Sequence, residues 1–562
     1  MNLKNLFFKI FSYSPPEQYH FYLEDNKNNL NSTQEKIKEN NKKIFPTLDI
    51  NLEIIKEEYS FKDNGDINIR EFTLPIKSKN YKAFILYVDG IINQTSVNDF
   101  ILQPLLLKNS INMTPNKTES TAIASNLSVR KVKKFDLQDF LISSLIPQNS
   151  VSLENTFQDV INKVNYGFCA LFVDTLETAI CIEVKDFKGR QVNEPKHEIV
   201  IRGANQAFIE DFRTNTSLIR KIINNENLII EETKVGKITK TKVGICYLSN
   251  VANKSLVNEV KHRINNLSVD FLLSSGTLEQ LIKDNLYTTY PQLIATERPD
   301  RVSNYLLDGR VAIIVDGSPF VLVVPAVLFD FITTPEDNNM NSHYSNFLRF
   351  IRLIALCFAL FLPGLYVAIT NYHQELLPSE LIFALASARE AIPAPIFFEI
   401  IIMEISFELI REAQVRVPSP FGQTIGIIGA LILGESAVNA NIVSPILIII
   451  VAFTGICSFS IPDYSLSFSI RLFRFLYIIA GYIAGFLGLG IVFFIHFASI
   501  CNLNSFGVSY LSPYLPFKDK EDFPNYYLNP IWKRERRNKF LKTQRPFEEE
   551  KISMNWRKDE RK

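Results

Sequence analysis

The chain has 562 residues, with 60 Lys and Arg against 59 Asp and Glu, a formal net charge of +1. That length accommodates three or four domains, and the charge balance sets up no global field for nucleic acid or an acidic partner. The six cysteines (Cys169, Cys181, Cys246, Cys357, Cys457 and Cys501) form no Cys-x-x-Cys pair, so they read as reduced core or lipid-facing residues, not as a disulfide frame or a metal site.

The start, MNLKNLFFKIFSYSPPEQYH, places lysines inside a short apolar patch and lacks the apolar core and cleavage site of a secretory signal. The N-terminal half is therefore expected in the cytosol. Residues 1–55 read as a polar tail and linker, and order is expected from about Phe61. Residues 56–192 form a first α/β module. YKAFILYVDGIINQ is a strand ending in an Asp89-Gly90 turn, followed by a helix, and GFCALFVDTLETAICIEV from Gly167 is a two-stranded hairpin. Residues 193–335 form a second module. Its strand runs Lys242–Asn250, and a helix places Leu256, Val257, Val260, Ile264 and Leu267 on one face. No repeat between the two modules is visible in the sequence.

No lysine occurs between Lys283 and Lys518. Lysine is among the costliest residues to place in hydrocarbon, so this gap marks a change of solvent. At its start IIVDGSPFVLVVPAVLFDF (Ile313–Phe331) is apolar yet broken by Asp316, Gly317, Pro319 and Pro325. It fits two buried strands joined by a turn, a membrane entry, or a loop carrying a catalytic aspartate. The reading adopted turns the chain at Asp316-Gly317 and delivers Ser318–Phe331 to the bilayer surface.

Residues 336–502 read as a helical membrane domain. Spans are expected at Leu348–Thr370, Ser444–Ile461 and Phe475–Ile500, with Arg349, Arg352, Arg471 and Arg474 marking entries from the cytosol. Pro395–Ile410 carries glutamates, and Phe421–Leu433 is glycine-rich. Five spans would leave the basic tail, residues 503–562, outside, whereas its charge places it inside. An even count needs one segment reassigned: the glutamate helix to the interface, or Ser318–Ile332 to a crossing. The fold class is thus two tandem α/β cytosolic modules followed by an α-helical polytopic membrane domain.

Four blocks carry a family resemblance. Ala295–Asp337, Ile201–Ile223, Phe407–Phe475 and Ser505–Phe517 stand in the order of GerA-type spore germination proteins, the A subunits of germinant receptors, and the likeness runs from Phe61 to Trp532. The chain departs from the pattern at Leu218-Ile219-Arg220-Lys221, where the family shows a longer arginine run. The resemblance implies a multi-pass protein of the spore inner membrane, in contact with lipid. Its partners would be a transporter-like, nutrient-binding B subunit and a C-subunit lipoprotein. It also implies a homo-oligomer that forms an ion channel, with no enzyme activity and no cofactor.

The residues themselves add candidate sites. Gly422, Gly426, Ala430 and Gly434 recur every four residues as a small face suited to close helix packing. Thr424, Ile428, Leu431 and Glu435 lie opposite. They suit a pore with an apolar gate and an acidic ring, or alternatively ordinary packing with Glu435 at the interface. Glu404, Glu408 and Glu412 form one acidic stripe, with Glu399 nearly opposite. The stripe suits a cation path, or a helix in the interface with Glu408 paired to Arg411; Arg389 and Arg416 are further partners. In Thr296-Glu297-Arg298-Pro299-Asp300-Arg301 the arginines suit phosphate headgroups, or a helix start capped by Thr296 or Asp300. No histidine pairs with a nucleophile, no Walker loop occurs, and no catalytic or metal-binding residue is assigned. The alternatives to a channel are a transporter using a broken helix at Gly434–Asn439 and a non-conducting scaffold.

Overall fold

A strand buried on both faces reads as a continuous apolar run, because helices cover each side of its sheet. This is how the N-terminal half folds. The computed structural model describes residues 21–24, 42–76, 79–106, 137–148, 150–185, 194–195, 197–416, 434–515, 527–531, 534 and 536–548. In module 1, strands β1 (Ile67–Ile76), β2 (Lys79–Val88), β3 (Val151–Glu154), β4 (Phe168–Val173) and β5 (Ala179–Glu183) form one antiparallel sheet in the order β1-β2-β4-β5-β3. Phe84, Leu86, Ala170 and Phe172 face helices α1 (Leu48–Glu58) and α4 (Phe157–Asn165). Their neighbours Ala83, Ile85, Cys169 and Leu171 face the other layer. That layer is α2, a helix of mixed α and π character spanning 94–106, and α3, spanning 137–145. The stretch read as a polar tail thus contains buried residues, Leu23, Ile44 and, in α1, Leu48 and Ile55.

Module 2 repeats this plan. Strands β6 (Leu228–Val235), β7 (Thr241–Leu248), β8 (Ile294–Thr296), β9 (Val311–Val315) and β10 (Val321–Val324) run in the order β6-β7-β9-β10-β8. Helices α5 (Phe212–Ile222) and α8 (Pro299–Leu307) cover one face. Helices α6 (Lys254–Asn265) and α7 (Ser275–Ile282) cover the other. From β3 to β5 and from β8 to β10 the two modules keep step without insertion. Gly167 matches Gly309, both at positive φ, and Thr175 matches Gly317 at φ 77° and 80°. Ala170, Val173 and Asp174 match Ala312, Val315 and Asp316. The expectation of no repeat is therefore corrected. With Val160/Val302 and Asn162/Asn304 the shared residues number six, too few to stand out in one sequence until the strand order supplies the alignment.

The modules meet through buried polar contacts. Arg220 pairs with Asp66 at 2.6 Å, both side chains at most 2% exposed, and Arg220 also donates to Asn64 Oδ1 at 3.2 Å. Gly65 N–H donates to Ile230 O at 3.0 Å, so the lead into β1 is bonded to β6. Arg220 is a junction residue between the modules.

The stretch Ile313–Phe331 belongs to module 2 down to Val324. β9 and β10 are wholly buried and paired, with the Asp316-Gly317 turn between them. Delivery to the bilayer from Ser318 is thus corrected, and so is a crossing at Ser318–Ile332. The pairing partners β8 and β9 hold this apolar run inside the module. The exit comes after Pro325, through short helical turns at Leu328–Phe331 and Pro335–Asn338.

Helices α9 (Ser342–Tyr372), α10 (Ser379–Arg389), α11 (Ile396–Arg416), α12 (Pro445–Phe459) and α13 (Tyr464–Cys501) form the C-terminal bundle. Among the described residues, α9 and α13 are long and apolar enough to cross a membrane. α13 is a hairpin. Ala484 and Gly485 leave helical geometry, and Gly485 adopts φ 57°, a conformation glycine reaches without a Cβ penalty. The rings of Phe473 and His496 stack at 4.1 Å, whereas a straight helix would set them about 35 Å apart. The arms are therefore antiparallel, 464–483 and 486–501. The single span expected at Phe475–Ile500 is corrected to two arms, because a positive-φ glycine inside an apolar run leaves no hydropathy signal.

The bundle shares one core with module 2. Val302, Leu306, Phe331, Ala359, Leu466, Phe473 and Tyr510 are all buried in it. The tail returns to the same module: Asn253 Nδ2 donates to Lys542 O at 3.0 Å and to Glu24 O at 3.1 Å, and Gln544 Nε2 donates to Ala252 O at 2.6 Å. Single cysteines at Lys254 and Lys539 in a cysteine-free chain are accordingly expected to behave alike toward a membrane-impermeant maleimide in intact cells. Labelling of one and protection of the other contradicts this placement of the tail.

Candidate functional site

The glutamates of α11 lie against the first arm of α13. On a helix, residues four apart and three apart share a face, so Glu404 and Glu408 can meet Arg474 and Arg471 in one antiparallel seam. Arg474 Nη1 donates to Glu404 Oε2 at 2.7 Å, each side chain 1% exposed, and Arg474 Nε donates to Ala359 O of α9 at 2.8 Å. Arg471 Nη1 donates to Glu408 Oε2, and Arg411 lies over the Phe459 ring at 4.4 Å. The arginines read as markers before a span are thus inside the bundle, held by acids. The expected Glu408–Arg411 pair is replaced by Glu408–Arg471, in which the buried arginine across the seam meets a half-buried carboxylate.

Glu412, the third residue of the stripe, is exposed and pairs with Arg416 at 2.6 Å. Glu399, on another face, is buried against Arg389 at 3.0 Å and accepts from Ser444 N–H at 3.1 Å. Gly422, Thr424, Gly426, Ile428, Ala430 and Leu431 lie outside the described residues. Residues 434–439 are helical and are followed by a turn at 440–443 before α12. Among the described residues nothing lies within 4 Å of a Cβ at Gly434, and Glu435 is exposed. Among the described residues, close glycine packing occurs at Gly364 and Gly481, which sequence spacing did not single out because they sit on different helices.

The seam is connected to module 2 by two polar junctions. At the entry of α9, Asp337 pairs with Arg349 at 3.0 Å and with Arg352 at 2.9 Å. Burial pushes the Asp337 carboxyl up, but the hydrogen bond and charge of Arg352, with Arg349 beside it, more than offset this and hold it below its ordinary value. Deeper in, Tyr290 of module 2 and Tyr477 of the first arm bracket His496 of the second arm. Their hydroxyls lie 2.7 Å from Nε2 and 2.9 Å from Nδ1. His496 therefore ties both arms to module 2.

The family model described as Bacillus/Clostridium GerA spore germination protein matches residues 53–540. The chain belongs to the GerA family of spore germination proteins. Spore germination protein KA of Bacillus subtilis (strain 168) is 35% identical over 494 residues, covering 88% of this chain and 86% of the relative. Spore germination protein B1 of the same organism is 34% identical, covering 85% and 94%. The crystal structure of the N-terminal domain of the A subunit of the Bacillus megaterium spore germinant receptor GerK3 is similar at 29% identity and TM-score 0.36, over 51% of this chain and 98% of that one.

In this GerA protein the Thr296–Arg301 box fastens the inter-module segment onto module 2. Arg301 Nη1 and the Thr296 hydroxyl each donate to Glu198 at 2.6 Å. Arg298, wholly buried, donates to Glu198 O at 2.9 Å and Ala204 O at 2.7 Å. Glu297 accepts from His197 N–H at 2.6 Å. The arginines are thus turned inward, away from any headgroup. α8 starts at Pro299 with Arg298 at the cap position, which corrects the expected cap at Thr296 or Asp300.

Proposed function

We propose that this protein is the A subunit of a nutrient germinant receptor in the inner membrane of a spore, and that its copies assemble into a ligand-gated, cation-conducting channel. Membership of the GerA family supports the receptor role. In this reading a B subunit binds the nutrient and a lipoprotein C subunit completes the complex. Both modules and the tail lie in the cytosol, and α9, α11, the expected segment Phe421–Leu433, α12 and the two arms of α13 make six crossings of the bilayer, surrounded by lipid. The hairpin supplies the extra crossing that lets modules and tail share one side. The core common to module 2 and the bundle would carry a partner's movement to the helices.

One observation favours the stretch 422–435 over the acidic stripe as the pore wall. Glu404 and Glu408 are engaged by buried arginines, whereas Glu435 is exposed. Repeated around a symmetric assembly, Glu435 would form an acidic ring that favours cations, with Ile428 and Leu431 as an apolar gate beside Thr424. Gly422, Gly426, Ala430 and Gly434 would pack on the neighbouring helix. Leu431→Ser and Ile428→Ser are expected to wet the gate and leak cations without nutrient. Glu435→Gln should weaken cation preference while gating persists. Ion flux through the reconstituted receptor measures both; serine variants that assemble and stay closed defeat the gate assignment.

A further inference from the structure

Three arginines and two glutamates converge where α11, α12 and the first arm of α13 meet. Arg474 and Glu404 are each 1% exposed, and Arg471 is 6% exposed. Arg411, over Phe459, stands within electrostatic reach of Arg471, Arg474 and Glu408. Two carboxylates face three guanidiniums, so the group carries one positive charge in excess. An unneutralised charge in such a place is strongly unfavourable.

The hydrogen-bonding inventory points the same way. Among the described residues, Arg411 Nη1, Arg471 Nη2 and Arg474 Nη2 are buried without an acceptor, and Glu404 Oε1 and Glu408 Oε1 are buried without a donor. The neighbouring hydroxyls have no proton left for the carboxylates: Ser458 donates to Gly455 O at 2.7 Å and Ser467 donates to Ser458 O at 3.0 Å. Phe407 and Phe459 flank the group with apolar rings. A cation here would satisfy the carboxylate oxygens but increase the excess charge. Water alone would satisfy the polar atoms and leave the charge. A small anion accepts only, so it takes the three N–H donors and cancels the excess together.

We infer that this seam binds one small monovalent anion of the halide class, held by Arg411, Arg471 and Arg474, with water on the free oxygens of Glu404 and Glu408. The site stabilises the contact between α11 and α13, and it does not depend on whether the assembly conducts. The test is the thermal unfolding midpoint of the full chain in detergent, titrated with sodium chloride or sodium bromide against sodium gluconate at constant ionic strength. Chloride and bromide are expected to raise the midpoint saturably, and gluconate is not. Arg411→Gln removes the excess charge, so half-saturation should move at least about tenfold higher or the response should vanish. Glu408→Gln raises the excess to two charges, so half-saturation should move at least about tenfold lower, and this variant decides the matter if Arg411→Gln does not fold. A wild-type midpoint indifferent to chloride overturns the inference. So does a response unchanged in the variants, which would mean an adventitious ion only.

Discussion

Replacing Arg474 with methionine is expected to remove most of the folded protein from membranes. Arg474 reaches three elements at once: its own arm of α13, Glu404 of α11 and the Ala359 carbonyl of α9. Without it, Glu404 keeps a charge where only 1% of its side chain meets solvent. Breaking a buried pair by removing one partner costs about 3–5 kcal/mol, a large share of the roughly 5–15 kcal/mol that holds an ordinary domain together. Glu404→Met should cost a similar amount, because it strands the guanidinium. The double variant should recover much of the loss, since a buried ion pair exchanged for apolar side chains of similar volume is often neutral or better. Glu412→Ala provides the scale. Its pair with Arg416 is exposed, so its loss should stay below about 1 kcal/mol. Abundance in membranes and the unfolding midpoint of the solubilised chain report all four. Single variants as stable as the parent, or a double variant no better than either single, would show that the seam does not bind the helices together.

The same residues show what a sequence can disclose. Glu404 and Glu408 announce an inward-facing stripe by their spacing, and Arg471 and Arg474 announce charge at the edge of an apolar run. Neither signal states that the two stripes face each other, because that depends on α13 turning back at Ala484-Gly485. Hydropathy averages over a window and passes through a reversal that costs two residues. The two-module plan was legible from runs such as Phe168–Val173 and Val311–Val315, whose burial on both faces makes them uniformly apolar. Their common strand order was not legible, since pairing is a long-range property. The Thr296–Arg301 box illustrates a third kind of gap. Its charges suggested surface contacts, but the atoms that receive them are carbonyls and a carboxylate about a hundred residues earlier, at Glu198 and Ala204. The family blocks lie over this clamp and over the seam, so the resemblance indicated the important regions without their partners.

Gly481→Ala is expected to separate α9 from α13, although it adds a single methyl group. A Cβ at Gly481 would stand 2.5 Å from Gly364 O, and one at Gly364 would stand 2.7 Å from Tyr477 O. Both obstacles are backbone, which cannot rotate away as a side chain does. The helices must therefore move apart, and every contact along the crossing loosens with them. Overpacking a close contact typically costs about 1–3 kcal/mol, and a backbone obstacle places these two positions at the upper end. The loss should extend to the polar contacts nearby: Tyr372 donates to Tyr482 O at 2.8 Å and Arg474 reaches Ala359 on the same two helices. Gly490→Ala sets the opposite expectation. Nothing lies within 4 Å of its Cβ position, and alanine favours a helix over glycine by about 1 kcal/mol, so this variant should be neutral or slightly stabilising. The pair separates steric approach from any general intolerance of the hairpin to substitution. Unfolding midpoints should fall for Gly481→Ala and Gly364→Ala and hold or rise for Gly490→Ala. Equal behaviour at all three positions would mean that the crossing of α9 and α13 is not set by backbone contact, and that the seam of Arg474 and Glu404 alone positions the arms.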